Sequence, residues 1–410
     1  MHDMQIRPIL SALRHHKAGT ILIVLQIALT LAIVCNALSI IHQRVTRLSR
    51  PSGLDEADVL VIQNQWIGRP SMQQVQALMA SDLETLRRVP GLMDAYATNG
   101  YPLGVDGWSK GVRYTMDQQT ATSPSAIYFA DDHALATLGL KLIAGRNFRA
   151  DEIAAMAARD TLLPRVVIVT KALADKLFPD GTAVGRQICV GSAPPSTIVG
   201  VVEHMQTSTG TFSQAWDERS LLVPFRLLDG STSYVVRARP GELTSVLRDA
   251  PQALIAANPL RVIGDKDIKP YATIRADAYR TDRGIALLMG IICVVLLGTT
   301  AAGIVGLTSF WVSQRRKHIG VRRALGATKH DILSYFCTEN LLLSAGGVAI
   351  GALLAVALNA LLVDQFEMQR LSLNYIVAGM IVVVLLGQSA VFVPAWRASQ
   401  LPPVEATRSV

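Results

Sequence analysis

The sequence predicts an α-helical membrane protein with four transmembrane helices and a large mixed α+β extracytoplasmic domain between the first and second helices. Half of the 410 residues are apolar but only 17% are charged, whereas about a quarter of an average soluble protein is charged. The apolar residues are concentrated in four runs, and a long polar stretch separates the first two. A mean hydropathy of +0.33 is too low for a chain that lies wholly in the membrane.

The four apolar runs give the boundaries of the predicted spans. The first covers residues 18–41, and as a helix it would reach roughly 36 Å, enough for a hydrocarbon core of about 30 Å. A cleaved signal peptide would have an apolar core of only about 7–15 residues, so we predict an uncleaved anchor. The other spans cover 284–313, 340–363 and 373–393. A short link at 364–372 makes the last two spans an antiparallel hairpin.

The distribution of Lys and Arg orients these spans. The N-terminal segment 1–17, the segment 314–339 and the tail 394–410 all carry Lys or Arg, which predicts that they share the cytoplasmic side of an inner membrane. Residues 42–283 are then extracytoplasmic. Three arginines between residues 44 and 50 disagree with this orientation, but long translocated domains obey the charge rule poorly, so the assignment stands.

The net charge of +8 is explained by this topology. The cations cluster beside apolar runs, and no basic patch interleaved with aromatic residues is present. We therefore expect the lipid bilayer as a partner and no nucleic acid.

Strand and helix patterns alternate in the extracytoplasmic stretch, which predicts a mixed α+β domain. The predicted strands lie at 59–62, 166–169, 197–202 and 234–236, and the predicted helices at 71–89, 170–178 and 242–257. Of the four cysteines only Cys189 lies in this domain, so it has no internal disulfide. No CxxC pair is present and the histidines are scattered, so we expect neither a metal nor a cofactor.

The segment 314–339, called the basic segment below, carries six Lys and Arg side chains between residues 315 and 329. Its pattern predicts an amphipathic helix over 321–335 that is interrupted near Gly326. Gly320 and Gly326 allow a turn, and Thr328 can cap a helix that starts at Lys329.

The predicted helix has an apolar side and a cationic side, a pattern typical of a surface that binds lipid headgroups or another protein. Its apolar side would consist of Leu325, Ile332 and Phe336, and its polar side would carry Arg322, Arg323 and Lys329. One interpretation is an interfacial helix whose cations meet anionic lipid headgroups. The other is a docking site for a second protein.

The spans contain amides but no charged side chains. Gln26, Asn36, Asn359 and Gln388 are the notable polar residues, for which we expect hydrogen bonds between helices. A hydrophilic conduit or a proton relay would be expected to carry charges. Gly347 and Gly351 form a GxxxG pattern in the third span, which permits close helix packing.

No enzymatic site is predicted. The sequence contains no GxxxxGK[ST] phosphate-binding loop, so nucleotide hydrolysis is expected in a partner subunit. Asp131-Asp132-His133 could be read as a metal or acid–base cluster. The same residues suit the start of a helix, where acidic side chains complement the helix dipole.

Several motifs, taken with the four-span plan, resemble the FtsX-like, MacB-type permeases of ABC transporters. The basic segment reads Ile319-Gly320, Arg322-Arg323 and Ala324-Leu325-Gly326-Ala327, and it continues through Ile332, Phe336 and Glu339 toward Gly347 and Gly351. The tail contains Pro394-Ala395-Trp396-Arg397-Ala398 and Pro402-Pro403-Val404-Glu405-Ala406. The extracytoplasmic stretch contains Ala144-Gly145-Arg146-Asn147-Phe148 and Val199-Gly200-Val201-Val202, as in a MacB-like periplasmic core.

The resemblance implies that the basic segment couples the chain to an ATPase. The implied coupling residues are Ile319, Gly320, Arg322, Arg323, Ala324, Leu325, Gly326, Ala327, Lys329 and Ile332. The family usually has an acidic residue before Ile-Gly, where this chain has His318, so the local ion pairing at the contact is expected to differ.

The resemblance also implies partners and a function. The expected partners are a separate ABC-type ATPase and a second permease chain, identical or related, with a periplasmic adaptor as a further candidate. The expected function is transmission of ATP-driven motion to the outer domain, for export of or resistance to an antimicrobial compound or peptide. The alternatives are an FtsX-like regulator of a cell-envelope hydrolase, a lipoprotein-handling permease, and a receptor without an ATPase.

Overall fold

The computed structural model describes residues 17–68, 70–208, 216–366 and 370–400. The predicted segment before Lys17 and the tail motif at 402–406 lie outside these residues. The chain divides into a mixed unit, Arg50–Arg280, and a helical unit formed by the residues on either side of it.

Ten α-helices are found in the described residues. They are α1 Lys17–Leu48, α2 Met72–Arg87, α3 Ala134–Leu138, α4 Lys171–Leu177, α5 Leu243–Ala257, α6 Tyr271–Ala278, α7 Arg280–Gln314, α8 Arg316–Ala324, α9 Lys329–Phe366 and α10 Leu373–Ser399. Four of these, α1, α7, α9 and α10, are long and apolar enough to cross a membrane.

The core of the helical unit is built around α1. Ile27 and Leu31 of α1 are buried in one cluster together with Phe336 of α9 and Val383 of α10. Much less of α7 is buried than of α1 within the helical unit. An apolar helix that is central in this way has no polar face, which agrees with the uninterrupted apolar run at 18–41.

The mixed unit contains fourteen strands within the described residues. They are β1 Val59–Trp66, β2 Leu92–Thr98, β3 Trp108–Arg113, β4 Ser123–Phe129, β5 Leu142–Gly145, β6 Ala154–Ala157, β7 Val166–Thr170, β8 Gln187–Val190, β9 Ser196–Val202, β10 Ser220–Val223, β11 Phe225–Leu228, β12 Ser231–Ala238, β13 Arg261–Val262 and β14 Ile268–Pro270.

These strands form two main sheets. One has the order β13-β1-β12-β2, with β14 also paired to β1, and the other has the order β5-β9-β7-β10-β4-β3-β8. Because β8 pairs with β9 as well, the second sheet closes on itself. A two-stranded sheet of β11 and β6 completes the unit.

Each main sheet has its own core. On the five-stranded sheet, Leu60 and Ile62 pack with Leu83 of α2 and Leu254 of α5. The seven-stranded sheet encloses a second cluster that includes Phe129 and several β-branched residues. Strands buried on both sides read as continuous apolar runs, which is why the segments at 166–169 and 197–202 were visible in the sequence.

A buried ion pair fixes the helix layer of the five-stranded sheet. Arg261 lies 2.7 Å from Asp82, and both side chains are almost inaccessible to solvent. Tyr234 donates a hydrogen bond of 2.6 Å to the same carboxylate. A buried charge needs such partners, because an unpaired one is strongly destabilising.

The structure agrees with the predicted elements of the mixed unit. Every predicted strand lies within or overlaps an observed one, and the three predicted helices correspond to α2, α4 and α5. Ser71 caps α2 in a capping box. Thr170 precedes α4 as predicted, but its hydroxyl makes no capping bond and instead donates to the Glu218 carbonyl at 2.7 Å.

Candidate functional site

The basic segment folds as a short helix, a tight turn and the start of a long helix. The helix α8 ends at Ala324, and Gly326 follows with a φ of +99°, a conformation that glycine adopts without strain. Thr328 then caps α9: its Oγ1 accepts from the Asp331 amide at 3.2 Å, and its amide donates to the Asp331 carboxylate at 2.9 Å. The prediction of a turn at Gly320 is wrong, because Gly320 lies buried inside α8.

Apolar side chains project from the turn between α8 and α9. Leu325 is 83% exposed and Val321 is 53% exposed, and Ala324 between them is also exposed. We call these three residues the apolar tip. Leu325 was predicted to share one apolar side with Ile332 and Phe336, and this is wrong because only the latter two are buried. Gly326 begins a new helix direction, so the periodicity does not carry across it.

The cations of the basic segment differ in what they contact. Arg315 lies 3.1 Å from the buried Glu339 of α9. Arg323 donates to the Ser399 carbonyl at the end of α10, at 2.8 Å. Arg322 lies over the Tyr335 ring, 5.1 Å from its centroid. Only Arg322 and Lys329 of the three predicted polar-side cations are exposed.

Polar contacts join the membrane helices at several depths. Gln26 donates to the Thr299 carbonyl at 3.1 Å, and the hydroxyls of Thr30 and Thr300 are 2.7 Å apart. These contacts connect α1 to α7. They are the interhelical bonds that amides and hydroxyls are expected to form in a bilayer.

A second set of contacts joins α1 to α9. Asn36 donates to the Ala355 carbonyl at 3.1 Å, and Asn359 donates to Asn36 Oδ1 at 3.3 Å. The structure also places the two glycines of the GxxxG pattern, Gly347 and Gly351, against α1. A β-carbon on Gly351 would lie only 2.8 Å from the Ala28 carbonyl oxygen.

An ion pair joins the other ends of α1 and α7. Asp282 lies 2.6 Å from Arg44 and 4.0 Å from Arg47. Within the mixed unit, Arg50 lies 2.9 Å from Asp217. The three arginines that disagreed with the charge rule therefore all have carboxylate partners.

The Asp131-Asp132-His133 cluster makes structural contacts at the start of α3. Asp131 accepts from the His133 amide at 3.0 Å and from Arg226 at 3.2 Å, and α3 begins directly after His133. Burial raises the pKa of Asp131 despite the neighbouring Arg226. Among the described residues no group of three His, Cys, Asp or Glu side chains could hold a metal.

Comparison with known proteins gives two family matches that together cover most of the chain. The family described as MacB-like periplasmic core domain matches residues 20–254, and the family described as FtsX-like permease C-terminal matches residues 290–403. The chain belongs to the MacB-type family of ABC transporter permeases. For this MacB-type permease the predicted fold class is confirmed, with a mixed α/β domain between the first membrane helix and the rest.

Two relatives show what share of their length this chain matches. The macrolide export ATP-binding/permease protein MacB of Chromobacterium violaceum is 31% identical over 276 residues, which are 65% of this chain and 41% of that protein. The uncharacterized ABC transporter permease YvrN of Bacillus subtilis is 25% identical over 301 residues, which are 70% of this chain and 71% of YvrN. The chain thus spans about two fifths of the length of the Chromobacterium relative.

A solved structure is also similar. The periplasmic region of MacB from Actinobacillus actinomycetemcomitans has 15% sequence identity and a TM-score of 0.35, and the match covers 56% of this chain and 97% of that structure.

Sequence reasoning missed two features of the basic segment. Nothing in the local pattern showed that Arg315 and Arg323 turn inward, because their partners Glu339 and Ser399 lie far along the chain. The exposure of Leu325 had one available signal, the glycine directly after it, which marks the end of a helix.

Proposed function

We propose that this MacB-type permease transmits the motion of a separate ATP-binding subunit to its extracytoplasmic domain. The apolar tip of Val321, Ala324 and Leu325 is the observation that carries the proposal. Burying a leucine side chain is worth about 1.5–3 kcal/mol, so a leucine held almost fully exposed on a turn favours a partner that covers it. The remaining proposed coupling residues, such as Ile319, shape the turn or support it from beneath.

Hydrolysis is assigned to a partner because the 410 residues contain no phosphate-binding loop. A cation-lined segment beside the tip suits an acidic rim on that partner. The basic segment and both termini are then cytoplasmic, and the mixed unit lies beyond the opposite face of the inner membrane. His318 is exposed on α8, where it would meet the partner in place of the acidic residue usual in the family.

The length of the helices supports a mechanical role. With 32 and 35 residues, α1 and α7 reach about 48 Å and 52 Å, well beyond a hydrocarbon core of about 30 Å. The four predicted spans contain no charged residues; they are 18–41, 284–313, 340–363 and 373–393. Such helices suit rods that carry motion across the bilayer better than walls of a polar conduit.

The proposed output is export of an antimicrobial compound or peptide. The named activity of the Chromobacterium relative is macrolide export, which supports export as the class of function. We further propose a pair of permease chains working with two ATP-binding subunits, and a periplasmic adaptor on the extracytoplasmic side.

Co-purification tests the docking proposal. The full-length chain is expected to retain an ATP-binding protein from its native membranes, and Leu325→Glu is expected to reduce that retention at least tenfold. Leu260→Glu is the matched control, because Leu260 is 62% exposed but lies in the mixed unit, and it is expected to retain the protein as wild type does. Equal retention by Leu325→Glu and wild type would contradict docking at the tip. A wild-type chain that retains no ATP-binding protein would favour the receptor alternative.

A further inference from the structure

The short helix α8 depends on tertiary contacts for its position. It has only nine residues, and isolated helices shorter than about 12–15 residues are marginal in water. Its outward side carries the exposed tip, so the contacts that hold it must come from its other side and its ends. On its inward side, α8 buries the side chain of Ile319, but one apolar side chain does not fix the direction of a helix.

An ion pair holds the beginning of α8 to α9. Arg315 directly precedes α8, and its Nη1 lies 3.1 Å from each carboxylate oxygen of Glu339. Glu339 is only 2% exposed. A buried carboxylate must be paired, and removing one partner of such a pair leaves a charge that is costly to bury. The Arg315–Glu339 pair therefore holds the beginning of α8 in one position against α9.

A hydrogen bond holds the end of α8 to α10. Arg323 lies in the last turn of α8, and its Nη1 donates to the carbonyl oxygen of the buried Ser399. Ser399 is the last residue of α10, where carbonyl groups lack partners within the helix and the helix dipole favours a cation. Arg323 thus caps α10 from α8.

We propose that Arg315 and Arg323 are positioning residues that fix the two ends of α8 to α9 and α10, and that they do not contact the ATP-binding subunit. A force on the apolar tip then moves α8, α9 and α10 together. The inference rests on the proposed function for the source of the force. It changes the role expected for Arg323, for which the family resemblance implies docking.

Two measurements on one preparation test this inference. The first is the mobility of a nitroxide label on Arg316→Cys, an exposed site on α8 that is not among the assigned coupling residues, in the full-length chain with Cys337→Ser. The second is retention of the ATP-binding subunit. Glu339→Gln and Arg323→Gln are expected to raise the label mobility clearly, while retention of the ATP-binding subunit stays within twofold of wild type.

Matched variants separate positioning from loss of folding and from loss of charge. Lys317→Gln removes one exposed cation from the same helix and is expected to leave both measurements unchanged. The exchanged pair Arg315→Glu with Glu339→Arg is expected to restore low mobility relative to Glu339→Gln. Unchanged mobility in both Glu339→Gln and Arg323→Gln would overturn the proposal, and so would loss of retention in Arg323→Gln at wild-type mobility. Failure of docking itself is reported independently by Leu325→Glu.

Discussion

At the scale of single residues, Glu152 shows how a partner sets the charge of a side chain. Arg146 contacts both of its carboxylate oxygens, at 2.8 Å and 2.6 Å, and the Arg149 amide donates to it at 2.9 Å. The hydrogen bonds and charge of Arg146 lower the pKa of Glu152 from 4.5 to about 2. The carboxylate form is therefore favoured by the folded chain.

We expect Glu152→Gln to lower the free energy of unfolding by about 1 kcal/mol at pH 7, after allowing for the partial exposure of Arg146. Because the folded pKa is below the unfolded one, this stabilisation is full above pH 4.5 and is lost as the pH falls toward 2. The measurement is the free energy of unfolding of the full chain in detergent, for wild type and for Glu152→Gln, at several pH values from 7 to 2. The values for the two proteins should converge as the pH falls.

The exposed pair Lys141–Glu203 provides the control for this prediction. Glu203→Gln is expected to leave the stability of the chain close to that of wild type at every pH, since exposed ion pairs contribute little. A difference between Glu152→Gln and wild type that persists unchanged at pH 2 would contradict the assigned cause.

At the scale of elements, the packing of α9 on α1 depends on small residues. A β-carbon on Gly351 would lie 2.8 Å from the Ala28 carbonyl oxygen and 3.0 Å from the Ala28 α-carbon, and both of these are backbone atoms that cannot move away alone. Gly346, on the same helix, has nothing within 4 Å of that position. The GxxxG pattern predicted close packing, but only the structure shows which helix is the partner.

We expect Gly351→Ala to destabilise the helical unit by about 1–3 kcal/mol, the usual cost of overpacking. Gly346→Ala is expected to be neutral or stabilising, since alanine is the better helix former by about 1 kcal/mol. The thermal unfolding temperature of both full-length variants in detergent measures the difference. Equal unfolding temperatures for the two variants would contradict the close packing of Gly351 of α9 against α1.

Element boundaries also show what the sequence could not supply. The apolar run at 340–363 omits the first eleven residues of α9, which begins at Lys329 and ends at Phe366. The polar turns of a helix outside the apolar run carry no hydropathy signal. Short edge strands such as β13 and β14 were also not predicted, because they are only two and three residues long and depend on pairing with β1.

At the scale of the whole molecule, the proposed topology can be tested with cysteines. The native Cys189 is buried, so it is unsuitable for labelling. Val105 is 78% exposed in the mixed unit. We expect a membrane-impermeant maleimide to label Val105→Cys in intact spheroplasts and Leu325→Cys only after lysis, both in a Cys337→Ser background.

The unsubstituted Cys337→Ser chain is the blank for this experiment, because its remaining cysteines are buried. Labelling of Leu325→Cys but not of Val105→Cys in intact spheroplasts would place the basic segment outside and remove the basis for docking a cytoplasmic ATP-binding subunit. Labelling of both sites before lysis would show that the spheroplasts leak.

The sequence by itself determined the four membrane helices, the mixed domain between the first two, and the position of the basic segment. These features follow from long apolar runs, strand periodicity and charge, which are local in the chain. The tertiary structure alone decided that Arg315 and Arg323 point inward to Glu339 and Ser399, and that Gly351 meets Ala28. Each of these depends on residues distant in sequence, because a side chain's surroundings are set by the elements that pack beside it.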